Sequence, residues 1–207
     1  MFTNINQMRA RSIKWRLAVR SLLAVLVLVA VTMRAGSASA DSSKPTEHQI
    51  KAAYLYNFAR FTDWPTNRFG SLDEPLVIGV LGDDSFGAVL GKIVAGKNVA
   101  GRPIEVRRLK PGDDFKSCHL LFLARSETAR FAGDLAQLGD AAVLTVGDSD
   151  SFIKAGGMIQ FVIEEATVKF EVNTQATQSV SLQLSSRLLS VARAVKSSPA
   201  KPATNSL

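Results

Sequence analysis

Hydrophobic and polar positions first form a regular pattern between residues 46 and 65. Apolar residues recur there at the spacing of one helix face: Ile50, Ala53, Tyr54, Phe58 and Phe61. Thr46 followed by Gln49 matches a capping box and predicts where the helix begins. Trp64-Pro65 predicts its end, because proline disfavours a helical conformation in the residue before it. Tyr56 lies off the apolar face, so we expect it to be exposed.

Beyond residue 75, short apolar runs alternate with stripes of helical spacing. The predicted strands are Leu76–Leu81, Ile104–Leu109, His119–Leu123 and Ala142–Val146. Helical spacing over Phe86–Ile93 and Phe131–Leu138 predicts two helices between them. Continuous apolar strands that alternate with helices are typical of a parallel sheet covered on both faces.

The last third of the chain has a different pattern. Met158–Glu164 and Thr167–Asn173 are strand-like runs separated only by Glu165-Ala166, which predicts an antiparallel hairpin at the sheet edge. Apolar residues then recur at helical spacing and predict a closing amphipathic helix: Leu184, Leu188, Val191, Ala192 and Val195. The predicted fold class is α/β: a single three-layer domain whose mixed sheet, a parallel part plus the C-terminal antiparallel hairpin, is flanked by helices.

Residues 1–40 have the layout of a secretory signal peptide. A basic segment ends at Arg20, an uncharged apolar stretch of thirteen residues follows over 21–33, and Ala38-Ser39-Ala40 offers small residues for cleavage. Because a membrane-spanning helix needs about 20 residues, cleavage after Ala40 is favoured over a retained anchor. We therefore expect an exported protein without a membrane span after cleavage. Translation from Met1 and from Met8 both remain open.

The remaining boundaries follow from composition. Residues 41–44 predict a short flexible lead-in, and residues 45–196 predict one domain without an internal repeat or linker. The polar, proline-containing stretch 197–207 predicts a disordered tail.

The net charge of +7 belongs almost entirely to the signal peptide. Residues 1–40 contain six Lys and Arg and no acid, which leaves nineteen Lys and Arg against eighteen Asp and Glu in the rest. A nearly neutral domain lacks the basic surface that nucleic acids require. We therefore expect no nucleic-acid partner.

Two glycine-containing turns invite comparison with nucleotide sites. Gly96-Lys97 is followed by Asn98 where a P-loop has Ser or Thr, and a helix precedes it where a strand is needed, so we expect no nucleotide there. Gly82-Asp83-Asp84-Ser85 lies between a strand and a helix, where the acids suit the helix N-terminus but repel a pyrophosphate. The same turn could hold a small polar ligand.

The sequence contains no recognisable catalytic group. Cys118 and His119 are adjacent on a predicted strand, so their side chains point to opposite faces and cannot share a metal or form a nucleophile–base pair. Cys118 is the only cysteine, which predicts a buried free thiol and no internal disulfide. A secreted hydrolase would need its acids to converge in one cleft: Asp83, Asp84, Asp148 or Glu164. We expect no cofactor and no metal.

Five blocks of sequence together carry a family resemblance. They are KAAYLYNFARFTDWP (51–65), VIGVLGDDSFG (77–87), CHLLFLA (118–124), VLTVGDSDSFIKAGGMIQF (143–161) and FEVN…LSSRLLSVA (170–192). The chain resembles the YfiR family of periplasmic regulatory proteins over nearly its whole mature length. Members of that family often carry several cysteines, and this chain departs from the pattern with one.

The resemblance implies a function without catalysis. It implies repression of a membrane-bound diguanylate cyclase through that enzyme's periplasmic sensor domain, which lowers cyclic-di-GMP signalling. An outer-membrane lipoprotein and a second copy of this chain are further candidate partners. The residue types enriched in interfaces supply a candidate contact surface: Tyr54, Tyr56, Phe58 and Trp64. The alternative is a periplasmic small-molecule binder that uses residues 82–85.

Overall fold

The structure is a computed structural model that describes residues 44–82 and 84–196, without the side chain of Asp84. The predicted signal peptide with Ala38 and Ala40, most of the lead-in, Asp83 and the predicted tail lie outside the described residues. Within the described part, no helix is both long and apolar enough to cross a membrane.

Eight strands form one mixed sheet. Its strands are β2 (Leu76–Leu81), β3 (Asn98–Val99), β4 (Arg102–Leu109), β5 (Leu120–Leu123), β6 (Leu144–Gly147), β7 (Ile159–Glu164), β8 (Thr167–Asn173) and β10 (Ala194–Lys196), in the order β10-β8-β7-β6-β5-β2-β4-β3. Neighbouring strands from β4 across to β7 are parallel, β7 and β8 are antiparallel, and β3 is antiparallel to β4. A separate antiparallel pair joins β1 (Thr62–Asp63) to β9 (Gln183–Leu184).

Helices flank the large sheet. They are α1 (Glu47–Arg60), α2 (Asp84–Val94), α3 (Phe131–Leu138), α4 (Thr174–Ser179) and α5 (Ser186–Ser190). The side chains of β2 alternate between two buried clusters, because successive residues of a strand point to opposite faces. Ile78 packs with residues of α1 and α2, whereas Leu81 packs with residues of α3. A core on each face confirms the predicted α/β fold with a mixed sheet and flanking helices.

Helix α1 begins as predicted but ends earlier, and its buried face agrees only in part with the prediction. Thr46 and Gln49 form the predicted capping box. The predicted end at Trp64 is wrong: the helix ends at Arg60, because the chain turns there to pair Thr62 with β9. The predicted apolar face is correct in part: Phe58 is buried, and Ile50, Tyr54 and Phe61 pack against the core, whereas Ala53 is exposed. The other buried residues of the helix lie beside that face: Lys51, Ala52, Leu55 and Ala59.

The predicted C-terminal hairpin is present, but it does not end the sheet. Glu165 and Ala166 form its tip with positive φ angles of 48° and 59°, as a two-residue turn requires. The sheet continues beyond β8, because β10 pairs with β8 in parallel register.

The predicted closing helix is wrong. Leu184 belongs to β9, α5 has only five residues, and Val195 lies in β10. Of the predicted stripe only Leu188 is buried, and Val191 is 65% exposed. Residues 194–196 pair with the open edge of β8 instead of continuing as a helix. This pairing depends on the tertiary structure, which the spacing of apolar residues in the sequence does not reveal.

Candidate functional site

A pocket lies where the chain changes direction across the sheet. From β2 the chain continues to β4 on one side and then crosses to β5 on the other, so the loops after β2 and β5 diverge at their carboxyl ends. The pocket between these loops has a volume of about 410 Å³. Its lining residues are His48, Lys51, Gly82, Ser85, Phe86, Phe122, Ala124, Arg125, Ser126 and Asp148. We call it the switch-point pocket.

Lys51 is the most unusual residue of this pocket, because its side chain is only 2% exposed. Its Nζ donates hydrogen bonds to Oδ1 of Asp148 at 2.7 Å and to the carboxylate of Glu47. The Lys51 hydrogen bond holds the pKa of Glu47 below its usual value. Arg125 lies 4.0 Å from the same Asp148 oxygen. Burial of a lysine side chain is tolerated only with such partners, and these carboxylates satisfy the Lys51 amine at the pocket wall.

The loop after β2 approaches the opposite wall closely. Gly82 has a φ of 103°, and a Cβ atom there would lie 2.6 Å from Oγ of Ser126. Only glycine fits this position without displacement. Of the predicted ligand residues, Gly82 and Ser85 line the pocket, whereas no structure is described for the side chains of Asp83 and Asp84.

The described acids do not form a hydrolytic pair. Asp148 lines the switch-point pocket and contacts Lys51, whereas Glu164 bonds to Lys169 and lies 3.5 Å from Arg193. In the described part of the chain, no cluster of three or more His, Cys, Asp or Glu residues could hold a metal ion. The polar contacts that line the pocket in the described residues are those of charge pairing around Lys51.

Cys118 and His119 are both completely buried. Cys118 packs in the cluster beside α3, and burial raises the pKa of its thiol. His119 faces Phe69 and Trp64, and its Nδ1 accepts a hydrogen bond from the Val77 backbone at 3.1 Å. Its Nε2 has no hydrogen-bond partner among the described residues. Burial, followed by the charge of Arg68, lowers the pKa of His119 to about 4.

A larger concave surface lies at the other end of β2. It has a volume of about 770 Å³ and we call it the Trp64 groove. Its lining residues are Arg60, Thr62, Asp63, Trp64, Pro65, Thr66, Phe69, Leu72, Leu76, Asn98, Val99, Ala100 and Arg102. Leu72 is 87% exposed, the highest value among the exposed large apolar side chains of the described residues.

Stacked rings hold the wall of the Trp64 groove. The Arg102 guanidinium lies 3.9 Å from the Phe69 ring centre, and that ring stacks on His119 at 4.3 Å. Trp64 donates a hydrogen bond from Nε1 to the His119 carbonyl at 3.2 Å. Arg102 also donates to the carbonyls of Ser71 and Glu74. The loop that carries Leu72 is thus anchored on both sides.

The predicted contact residues have different surroundings. Phe58 is completely buried and belongs to the core, so it cannot contact a partner directly. Tyr54 packs against Phe58 with its ring. Tyr56 and Trp64 are half-buried, and Trp64 lines the groove. The sequence pattern missed Phe69 and Leu72, since the loop that contains them shows no periodicity.

Known proteins match this chain in family and in fold. Residues 48–193 match the family model described as YfiR/HmsC-like, whereas no curated protein matches the sequence. A solved conserved domain protein from Vibrio cholerae O1 biovar El Tor has a TM-score of 0.50 and 11% identity. The match covers 70% of this chain and 60% of that chain, and at this identity it shows the fold alone. Because the family model covers most of its length, the chain belongs to the YfiR/HmsC-like family, which is periplasmic and regulatory rather than catalytic.

Proposed function

We propose that this protein is a periplasmic regulator that acts by contact and has no catalytic activity of its own. In this proposal it binds the periplasmic sensor domain of a membrane-bound diguanylate cyclase and holds the enzyme inactive, so that cyclic-di-GMP falls. Family membership supports a regulator of this kind. The effect must pass through the membrane segments of the cyclase, because a periplasmic protein cannot reach the cytosolic reaction.

The Trp64 groove is the observation that carries the proposal. Two aromatic side chains, two arginines and an exposed leucine line one continuous concavity, and aromatic residues and arginine are enriched in protein interfaces. Leu72 in particular exposes 87% of its surface. An isolated soluble domain gains nothing from that exposure, whereas a partner that covers the groove would remove this apolar surface from water.

Gene deletion and one matched pair of variants test the proposal. Deletion should raise cellular cyclic-di-GMP, and complementation with Leu72→Ser should restore repression poorly. Ile163→Ser is the control, because Ile163 is also exposed, at 43%, but lies in the hairpin strand β7. The control should repress like wild type. Unchanged cyclic-di-GMP after deletion under several growth conditions would refute the repressor function itself.

Two biochemical experiments test the location and the partner. Mass spectrometry of the native protein should find a chain that begins at Asp41, and a membrane-associated chain that retains residues 1–40 would contradict export with cleavage. The mature protein, used as bait on solubilised membranes, should recover a diguanylate cyclase with a periplasmic domain. Recovery of an outer-membrane lipoprotein without a cyclase would assign the contact to the other candidate partner.

The switch-point pocket favours a second candidate function, the binding of a small molecule in the periplasm. The pair formed by buried Lys51 and partly exposed Asp148 places a basic group and a carboxylate at one wall of the pocket. Residues 82–85 would form part of the site in this proposal. Native mass spectrometry of the protein purified from its own periplasm should then show a bound small molecule, and an unliganded mass in every preparation would contradict it.

A further inference from the structure

Three basic side chains and two aromatic rings form a continuous row on the surface beside the Trp64 groove. Lys97 Nζ lies 4.6 Å from the Tyr56 ring centre, and the Arg60 guanidinium lies 5.5 Å from the same ring. Arg60 is also 5.5 Å from the ring of Phe61, and Arg187 lies 6.0 Å from Phe61. We call this set of five residues the cationic row. Since Arg60 also lines the Trp64 groove, the two surfaces are continuous.

The row is assembled from three separate parts of the chain. Tyr56 and Arg60 are one turn apart on α1, and Phe61 caps that helix. Lys97 lies in the turn between α2 and β3, and Arg187 lies in α5. Residues so far apart in sequence come together only in the folded domain. The alternation of cation and ring is therefore a property of the tertiary structure.

Among residues 44–82 and 84–196, the cations of the row have no acidic side chain in ion-pair contact. Arg60, Lys97 and Arg187 are exposed, and none of them forms an ion pair with any acid in the described part of the chain. Elsewhere on the surface, Arg193 and Lys196 both pair with Glu171. Cations that share two rings without a counter-charge repel one another, and a ring attracts a cation much less strongly than a carboxylate does.

We propose that the cationic row binds an acidic surface of the cyclase's periplasmic domain, while the adjoining Trp64 groove receives an apolar part of the same partner. The proposal rests on the proposed function and specifies the chemistry of the partner. Charge complementarity at the rim of an interface mainly steers association and selects the partner. Carboxylates of the partner would supply the counter-charge that no acid among the described residues supplies by an ion pair, and the rings would hold the cations in place for them.

Charge reversal tests the row inside the cell. The row variant carries Arg60→Glu, Lys97→Glu and Arg187→Glu. The control variant reverses three exposed lysines outside the row, so that it changes the net charge equally: Lys110→Glu, Lys116→Glu and Lys154→Glu. In a deletion strain the row variant should leave cyclic-di-GMP close to the deletion level, whereas the control should repress. Both variants should unfold within a few degrees of wild type, which separates lost contact from lost folding.

The outcomes of this experiment separate the two proposals. If deletion leaves cyclic-di-GMP unchanged, the proposed function fails. If deletion raises it and the folded row variant still represses fully, the function stands and the cationic row has no part in it. Equal loss of repression in both charge variants would also overturn the inference, since the effect would then belong to net charge alone.

Binding in solution tests the partner's chemistry. With the periplasmic domain of the recovered cyclase as the probe, affinity should fall about tenfold between about 50 mM and about 500 mM NaCl, because salt screens exposed charges. The row variant should bind about tenfold more weakly at the lower salt concentration, and the control should bind within about twofold of wild type. Unaltered affinity of the row variant would overturn the proposal.

A vesicle assay distinguishes a protein partner from the membrane surface. Vesicles of phosphatidylglycerol and phosphatidylethanolamine should sediment no more wild-type protein than row variant. If wild type binds these vesicles and the row variant does not, the row contacts anionic lipid instead, and the proposal of an acidic protein surface is wrong.

Discussion

His119 should make the domain unstable in mild acid. The ring is completely buried and stacks on Phe69, and burial lowers its pKa to about 4. In the unfolded chain an ordinary histidine binds its proton at about pH 6.5. Below that pH the unfolded chain is protonated while the folded protein is not. Acid therefore favours unfolding, in the direction that proton linkage requires.

The magnitude follows from the two pKa values. Each pH unit between them is worth about 1.4 kcal/mol, so a fall from 6.5 to about 4 corresponds to about 3 kcal/mol of unfolding free energy. The loss begins as the pH falls below about 6.5 and is complete near pH 4, where the folded protein also becomes protonated. Protonation of Nδ1 would also break its bond from the Val77 backbone. Since domains are stable by only about 5–15 kcal/mol, such a loss is easily measured.

Urea unfolding at several pH values is the assay, with His119→Asn as the comparison. The asparagine oxygen can accept the Val77 hydrogen bond, but this side chain does not titrate. Between about pH 7.5 and about pH 4.5 wild type should lose about 2–3 kcal/mol more than the variant. Carboxylates titrate in both proteins, so their contribution cancels in this difference. Parallel loss in the two proteins, within about 0.5 kcal/mol, would refute the assignment of acid sensitivity to His119.

Three further predictions concern single positions. Lys51→Met should reduce the unfolding free energy by about 2–3 kcal/mol in urea titration, because Asp148 loses its buried partner. Adding Asp148→Asn to this variant should recover part of the lost free energy. A cost of Lys51→Met below about 0.5 kcal/mol would contradict the pairing. Cys118 should resist a polar alkylating reagent in the native protein and react on unfolding, since burial keeps it a thiol; rapid native labelling would show an accessible thiolate. Tyr56→Ala should reduce the unfolding free energy by about 1 kcal/mol and should weaken binding to the cyclase domain at least about tenfold. Full affinity in the variant would show that Tyr56 has a structural role only.

Strands buried on both faces could be predicted from the sequence because they leave a direct signal. A central parallel strand must be apolar at every position, and β2 and β5 are continuous apolar runs with all residues buried. The tight hairpin at Glu165 is equally local, because its two-residue turn determines how the strands pair. In each case the information lies within a few neighbouring residues.

The groove and the row could not be predicted in the same way. Leu72 and Phe69 lie in a loop without periodicity, and that loop is held by hydrogen bonds from Arg68 and Arg102 to backbone carbonyls. The switch-point turn at Gly82 was predictable because it is a local strand-to-helix connection. The burial of Lys51 was not predictable, since one of its two acidic partners, Asp148, is 97 residues away.

In helix α1, the burial of a single residue, Lys51, changes which side chains are expected on the surface. If lysine is excluded from the core, the apolar stripe must pass through Ala53 and Phe61, which leaves Tyr56 an isolated exposed ring. With Lys51 buried by its ion pairs, the buried face extends to Leu55 and Ala59. Arg60 then lies on the surface beside Tyr56, 5.5 Å from its ring. The buried face of α1 therefore depends on the ion pairs of Lys51 with Glu47 and Asp148 as well as on its apolar residues.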